Sequence, residues 1–231
     1  MIFSHRYDRN FKSLGADEQE ALARSRVCVV GAGGLGGAVV EQLARAGVGF
    51  LRVIDGDAFE ESNLNRQLLA TEDALGRPKA QVAAEHVAQV NSSVEVETCQ
   101  VMLGEENAPQ LLEGVDCVVD CLDNLGARLW MAHACLHLGT PMVHGAIGGW
   151  FGQVCTVVPG DASFATIYGA LEDAGEGVQK ELGNLVCTAW GTASFQVAEV
   201  LKLLLGREGT LRNRLLMIDF LYGTAEDMEL H

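Results

Sequence analysis

Apolar and polar residues fall into alternating blocks along this chain, and the blocks read as strands followed by helices. Residues 27–30 (VCVV) are an apolar, mostly β-branched run cut off by glycine, the mark of a buried strand. Residues 37–47 (GAVVEQLARAG) take up helical spacing soon after it. FLRVI at 50–54 predicts a second strand, which stops at Asp55-Gly56-Asp57. Pro78 suits the first turn of a helix over 78–91, and the alternation of 94–101 predicts a third strand. A short helix over 107–112, a buried strand over 115–120, a helix over 127–138 and a strand over 142–145 continue the series. Such alternation predicts a parallel sheet with helices on both faces.

The pattern changes after Gly148-Gly149. Strands over 152–159 and 215–220 flank a long amphipathic helix over 193–205. The expected fold is therefore α/β: a Rossmann-like, mostly parallel sheet with an antiparallel C-terminal extension. Residues 160–184 are rich in Gly and acid without a clear period and read as a mobile or partner-gated loop. At the other end, residues 1–14 form a polar and aromatic arm around HRYDR, and Asp17 with Glu20 opens a short helix through Ala23. The chain thus divides into an arm with a short helix (1–24), the Rossmann-like part (25–150) and a C-terminal part of the same domain (151–231).

Composition narrows what this fold can do. At 231 residues, 48% hydrophobic and 20% charged, the chain can bury a sizeable core. No apolar run is long enough to span a membrane, and MIFSHRYDRNFK does not read as a signal peptide, so a cytoplasmic setting is expected. With 16 Lys+Arg against 31 Asp+Glu, the formal charge of -15 makes general nucleic-acid binding unfavourable. Any phosphate chemistry must rest on a few placed basic residues, among them Arg9, Arg66 and Lys79. Seven cysteines without C-x-x-C spacing argue against a disulfide framework and a structural zinc site.

Gly31, Gly33 and Gly36 form G-x-G-x-x-G between the first strand and the first long helix, with Gly34 inside the same turn. That is the context a nucleotide phosphate site requires: glycine permits the turn and lets backbone N–H groups approach a phosphate at a helix N-terminus. Asp55 lies where a carboxylate bonds ribose hydroxyls. These features alone permit a nicotinamide dinucleotide. Asn63, Arg66 and Gln67 after the second strand, Lys79 at the next helix and Asp123 past the fourth strand add more. A doubly wound sheet brings all of them to the carboxyl edge of its strands, where a triphosphate uses cations and a carboxylate can hold Mg²⁺. Asp57 reads as a further ligand or as a cap of its loop, Asp120 as a strand-end residue, and His144 as a structural histidine.

RYDRN, GAGGLGG, DGDAFEESNLNRQ, GRPKA and DCLDN together resemble the sulfur-carrier adenylyltransferases of the ThiF/MoeB/HesA group, relatives of the ubiquitin-activating enzymes. The resemblance is close over about the first 150 residues and returns in LGNLVCTAWGTASFQVAEVLKLLLG. It implies ATP-dependent adenylation of the C-terminal Gly-Gly carboxylate of a small ubiquitin-like carrier. Asp55 would hold the ribose, Asn63, Arg66, Gln67 and Lys79 the phosphates, and Asp123 the Mg²⁺. Arg9, or else Arg6, would reach across a homodimer to the partner's phosphates. The paired cysteines that bind zinc in many members are absent, with ASFATIY where the first pair is expected, which implies a zinc-free subgroup. The loop 160–184 lacks a cysteine; Cys187, just beyond it, either takes part in transfer or is incidental. A modified tRNA or peptide C-terminus as acceptor, a nicotinamide-dependent oxidoreductase and a non-catalytic scaffold are the alternatives.

Overall fold

The computed structural model describes residues 5–161, 163–169 and 182–230. Strands β1 (Arg26–Val30), β2 (Phe50–Ile54), β3 (Glu95–Cys99), β4 (Cys117–Asp120), β5 (Met142–Gly148), β6 (Phe151–Val157), β7 (Arg214–Asp219) and β8 (Thr224–Glu229) form one sheet. Its order is β3-β2-β1-β4-β5-β6-β7-β8. Pairing is parallel from β3 through β5 and antiparallel from β5 through β8. The helices are α1 (Ala16–Arg24), α2 (Gly34–Ala46), α3 (Lys79–Val90), α4 (Ala108–Leu112), α5 (Leu125–Leu138), α6 (Ser163–Tyr168) and α7 (Val186–Leu204). The sheet runs unbroken past residue 150, because β5 pairs with β6 from Met142↔Val157 to Gly148↔Phe151.

The two-residue period of a strand explains why β1 is apolar after Arg26. Val27 and Val29 pack with Leu35, Val39 and Leu43 of α2, Ala83 and Val87 of α3, and Ala193 and Val197 of α7. Cys28 and Val30 point the other way, into Leu112 of α4, Leu129 and Met131 of α5, and Phe164 of α6. Helices therefore cover both faces, and the four positions from Val27 to Val30 are all buried. β1 and β4 are neighbours, but their following connections leave in opposite directions, which opens a crevice at their carboxyl ends.

Glycines let α2 sit hard against that crevice. Gly31 has φ +90, and a Cβ on it would lie 2.7 Å from the Cys121 carbonyl oxygen. A Cβ on Gly36 would lie 1.7 Å from the Gly31 oxygen. The third glycine of the motif is thus required by packing of the helix on its own turn.

Several elements differ from expectation. The third strand ends at Cys99, short of 101, and the fifth runs on to Gly148. α6 folds inside the stretch read as loop; residues 162 and 170–181 of that stretch lie outside the described residues. β8 is a strand the pattern did not reveal, since all six residues are exposed and polar or small except Met228. α7 begins at Val186, well before 193. Its buried face carries Thr188, Thr192, Gln196 and Glu199, while Val186, Trp190 and Phe195 are exposed. The polar groups are tolerated because most find partners: Gln196 Nε2 donates to the Asp120 carbonyl at 2.8 Å, and Glu199 Oε2 accepts from Thr156 Oγ1 and the Leu211 N–H, both at 2.6 Å.

Candidate active site

A cavity of about 500 Å³ opens at the carboxyl ends of β1, β2 and β4. Its wall includes Gly31, Gly33, Gly34, Asp55, Asp57, Arg66, Gln67, Lys79 and Asp123. Nine residues expected at a phosphate site from widely separated stretches therefore share one wall. Gly36, Asn63 and Arg9 do not line it.

Each wall residue is held by local structure. Asp55 ends β2; its Oδ2 accepts from the Ala32 N–H of the glycine turn at 2.7 Å and its Oδ1 from the Asp57 N–H at 2.8 Å. Burial raises the Asp55 carboxyl above its ordinary value, against the opposing pull of these two donors. Lys79 is the first residue of α3, and its N–H donates to the Asp57 carbonyl at 2.9 Å. Its side chain is 9% exposed, and the ammonium meets the Asp57 carboxylate at 3.2 Å. Asp57 is thus the counter-ion of Lys79 as well as part of the loop.

Arg66 is half-buried, with Nη1 donating to the Ser62 carbonyl at 3.0 Å and to Asn65 Oδ1 at 2.9 Å. Its own carbonyl accepts from Trp190 Nε1 of α7 at 2.9 Å. Gln67 lies over the glycine turn, buried, and its Oε1 has no hydrogen-bond partner. Asp123 is exposed and has no hydrogen bond or ion pair among the described residues.

Asn63 stands outside the wall. Its Oδ1 accepts from the Glu60 N–H at 3.1 Å, and its carbonyl accepts from the Arg66 and Gln67 N–H groups at 3.2 and 2.9 Å. Its side chain closes the turn that delivers those two residues. Arg9 is exposed on the N-terminal arm; Arg6, on the same arm, reaches the Val90 carbonyl at 3.4 Å.

The pattern missed Arg128, which lines the cavity from α5 although it is 3% exposed. Its one sequence signal is a basic residue set among apolar neighbours at the start of a helix. Asp120 and His144, taken as strand-end and structural residues, form a fully buried pair at 2.6 Å beneath the cavity. Met102, from the segment after β3, also lines the cavity and packs on Gly56, where a Cβ would lie 2.7 Å from its sulfur.

Residues 7–231 match the ThiF family over nearly the whole chain. The chain belongs to the ThiF family. Within reach of this family is the SAMP-activating enzyme E1 of Haloferax volcanii, 37% identical over 224 residues, covering 96% of this chain and 83% of that one. A sulfur carrier protein adenylyltransferase of Thermus thermophilus is 38% identical over 231 residues, covering 94% of this chain and 83% of its own length. The crystal structure of E. coli MccB with ATP superposes with a TM-score of 0.84 at 22% identity, covering 99% of this chain and 72% of that chain, a likeness of fold.

Proposed function

We propose that this ThiF-family chain uses ATP to adenylate the C-terminal carboxylate of a small ubiquitin-like sulfur-carrier protein ending in Gly-Gly. The observation that carries the reading is the convergence of Arg66, Lys79 and Asp123 on the cavity at the glycine turn. A nicotinamide site has no use for that set, whereas a triphosphate does. The names of the two curated relatives point the same way.

The roles follow from the chemistry of each group. Backbone N–H groups of the glycine turn and the N-terminus of α2 face the phosphates. Asp55 keeps oxygen lone pairs for the ribose hydroxyls. Lys79 and Arg66 offset phosphate charge, and Gln67 offers its amide. Asn63 acts through the turn it closes. Asp123 fits a magnesium ligand: it is a hard oxygen donor in the cavity wall with no partner of its own among the described residues. Magnesium held there with the nucleotide would withdraw charge from the phosphate oxygens. Arg9, exposed on its arm, would act on the other subunit's phosphates in a homodimer.

The reaction asks little more of the protein. A carboxylate oxygen of the carrier forms a bond to the α-phosphorus, the bond to the β-phosphate oxygen breaks, and pyrophosphate leaves with the electron pair. The nucleophile arrives already ionised, so positioning and charge stabilisation suffice. No helix among the described residues is long and apolar enough to cross a membrane. The charge of -15 favours a protein acceptor over tRNA.

Exchange of labelled pyrophosphate into ATP tests this. It should depend on a carrier with an intact Gly-Gly terminus and vanish when those two residues are removed. A chain whose melting temperature rises with NADH and not with ATP–Mg²⁺ would sink the reading.

A further inference from the structure

α6 is the helix described within the long connection between β6 and α7, and it brings one side chain against Arg128, a residue of the cavity wall. Tyr168, its last residue, lies among His144 of β5, Gln153 of β6 and Arg128 of α5. The contacts close into a ring. Asp120 Oδ2 accepts from His144 Nδ1 at 2.6 Å, and His144 Nε2 lies 3.0 Å from the Tyr168 hydroxyl. The Tyr168 oxygen accepts from Arg128 Nη1 at 3.1 Å, and the ring is completed by an ion-pair contact, without a hydrogen bond, between Arg128 Nε and Asp120 Oδ2 at 3.4 Å. Gln153 Nε2 braces the ring, 2.8 Å from Tyr168 and 3.1 Å from His144.

With the Gln153 amide nitrogen turned to the ring and His144 protonated on Nδ1, one assignment of protons satisfies Tyr168. Arg128 and Gln153 both donate to the Tyr168 oxygen, so its hydroxyl proton must go to an acceptor. That acceptor is His144 Nε2, which is free because Nδ1 carries the proton given to Asp120. Burial pushes the Tyr168 hydroxyl up to about 12, so it keeps its proton, and burial lowers His144, so it stays neutral.

The ring ends in the cavity wall. Arg128 Nη2 donates to the carbonyl of Leu122, the residue before Asp123, and to the Gly145 carbonyl at 3.3 Å. Tyr168 therefore fixes the guanidinium that holds the Asp123 loop. We propose that Tyr168 is a positioning residue of the nucleotide site: its hydroxyl, docked from the β6–α7 connection, sets Arg128 and through it the Leu122–Asp123 wall. Since Tyr168 does not line the cavity, it acts only through Arg128. The inference rests on the adenylation reading for its ligand, ATP–Mg²⁺.

The test compares Tyr168→Phe with Phe164→Leu. The first keeps the ring packing, including the T-shaped contact with His144 at 5.3 Å, and removes the hydroxyl. The second trims packing in the same place and leaves the hydroxyl network whole. Calorimetric binding of ATP–Mg²⁺ should weaken about tenfold in Tyr168→Phe, as expected when a buried charged donor loses its acceptor. The KM for ATP in pyrophosphate exchange should rise alongside, with the KM for carrier unchanged. Phe164→Leu should lower the melting temperature and leave ATP affinity alone. If Tyr168→Phe does not fold, Gln153→Leu takes its place, with a smaller loss of affinity of about threefold. Wild-type affinity in the folded hydroxyl variant, or in Gln153→Leu where that one is used, overturns the inference, as does an equal loss in Phe164→Leu. Wild-type protein that binds ATP–Mg²⁺ without carrier-dependent exchange overturns the proposed function instead, and the binding comparison still decides this one.

Discussion

Lys79 and Asp120 are both buried, the first in the cavity wall and the second outside it, yet folding treats the two groups differently. Asp120 is 0% exposed and its oxygens are engaged: Oδ1 by the Leu122 N–H at 3.0 Å, Oδ2 by His144 and Arg128. The Lys79 ammonium, with three protons to give, meets one carboxylate, that of Asp57, whose side chain is 59% exposed. Asp123 and Gln67 Oε1 carry the same mark of capacity left over after folding. The floor commits the Asp120 carboxylate entirely to its own neighbours, leaving Arg128 Nε in an ion-pair contact alone and Gln196 Oε1 unpartnered; the wall keeps charged groups with donors and acceptors that a ligand can complete. A buried charge can be left with spare capacity only where a ligand or water reaches it, because an orphaned polar group in a dry interior costs about 1–3 kcal/mol.

The comparison predicts opposite phenotypes for the two sets. Asp120→Ala leaves Arg128 buried without its counter-charge and should cost about 3–5 kcal/mol in stability, read by denaturant unfolding; a loss below about 1 kcal/mol would erase the distinction. Lys79→Ala and Asp123→Ala should lower pyrophosphate exchange by about 10²–10³-fold, the usual effect of one lost charge stabiliser. Their unfolding midpoints should stay close to wild type, and exchange at the wild-type rate in both would refute the site. Acid should then find the floor before the wall. His144 is held below its ordinary pKa by burial, with Asp120, Arg128, Tyr168 and Gln153 around it. The unfolded chain therefore binds a proton the folded chain resists. That contribution is fully present above about pH 6.5 and is lost as pH falls below it, by at most about 1.4 kcal/mol per pH unit. Urea midpoints at pH 7.5 and 5.5 should show the decline, and His144→Gln should flatten it. The exposed i,i+4 pair Arg24–Glu20 at 2.9 Å belongs to neither set, and Arg24→Ala should change stability by less than about 0.5 kcal/mol.

Much of the architecture was legible before any coordinates. β1, β2 and β4 are buried on both faces, so their apolar runs stand out, with Gly31 after the first, Asp55 after the second and Asp120 at the end of the third. α6 is six residues long, too short to show a helical period. β8 (TAEDME) pairs only with β7 at the sheet edge, where charges block further pairing, so hydropathy gives no hint of a strand. The first turns of α7 escaped for the opposite reason: they bury Thr188 and Thr192 and expose Val186 and Trp190, inverting the pattern that marks a helix face.

What the chain determined on its own is the glycine turn, the acid after β2, and the placing of Arg66, Gln67 and Lys79 between β2 and β3 and of Asp123 just past β4, because a doubly wound sheet sends such segments to one edge. What tertiary structure decided is which polar groups are already satisfied. Asn63 turns its amide into its own backbone, Asp57 pairs with Lys79, and Asp120 disappears under the floor with Arg128, His144 and Tyr168. Those partners are up to 48 residues apart in sequence, as Tyr168 is from Asp120. Hydrogen bonds reach about 3 Å, so only the packing of β4, β5, α5 and α6 could say which donors were filled and which remained for a ligand.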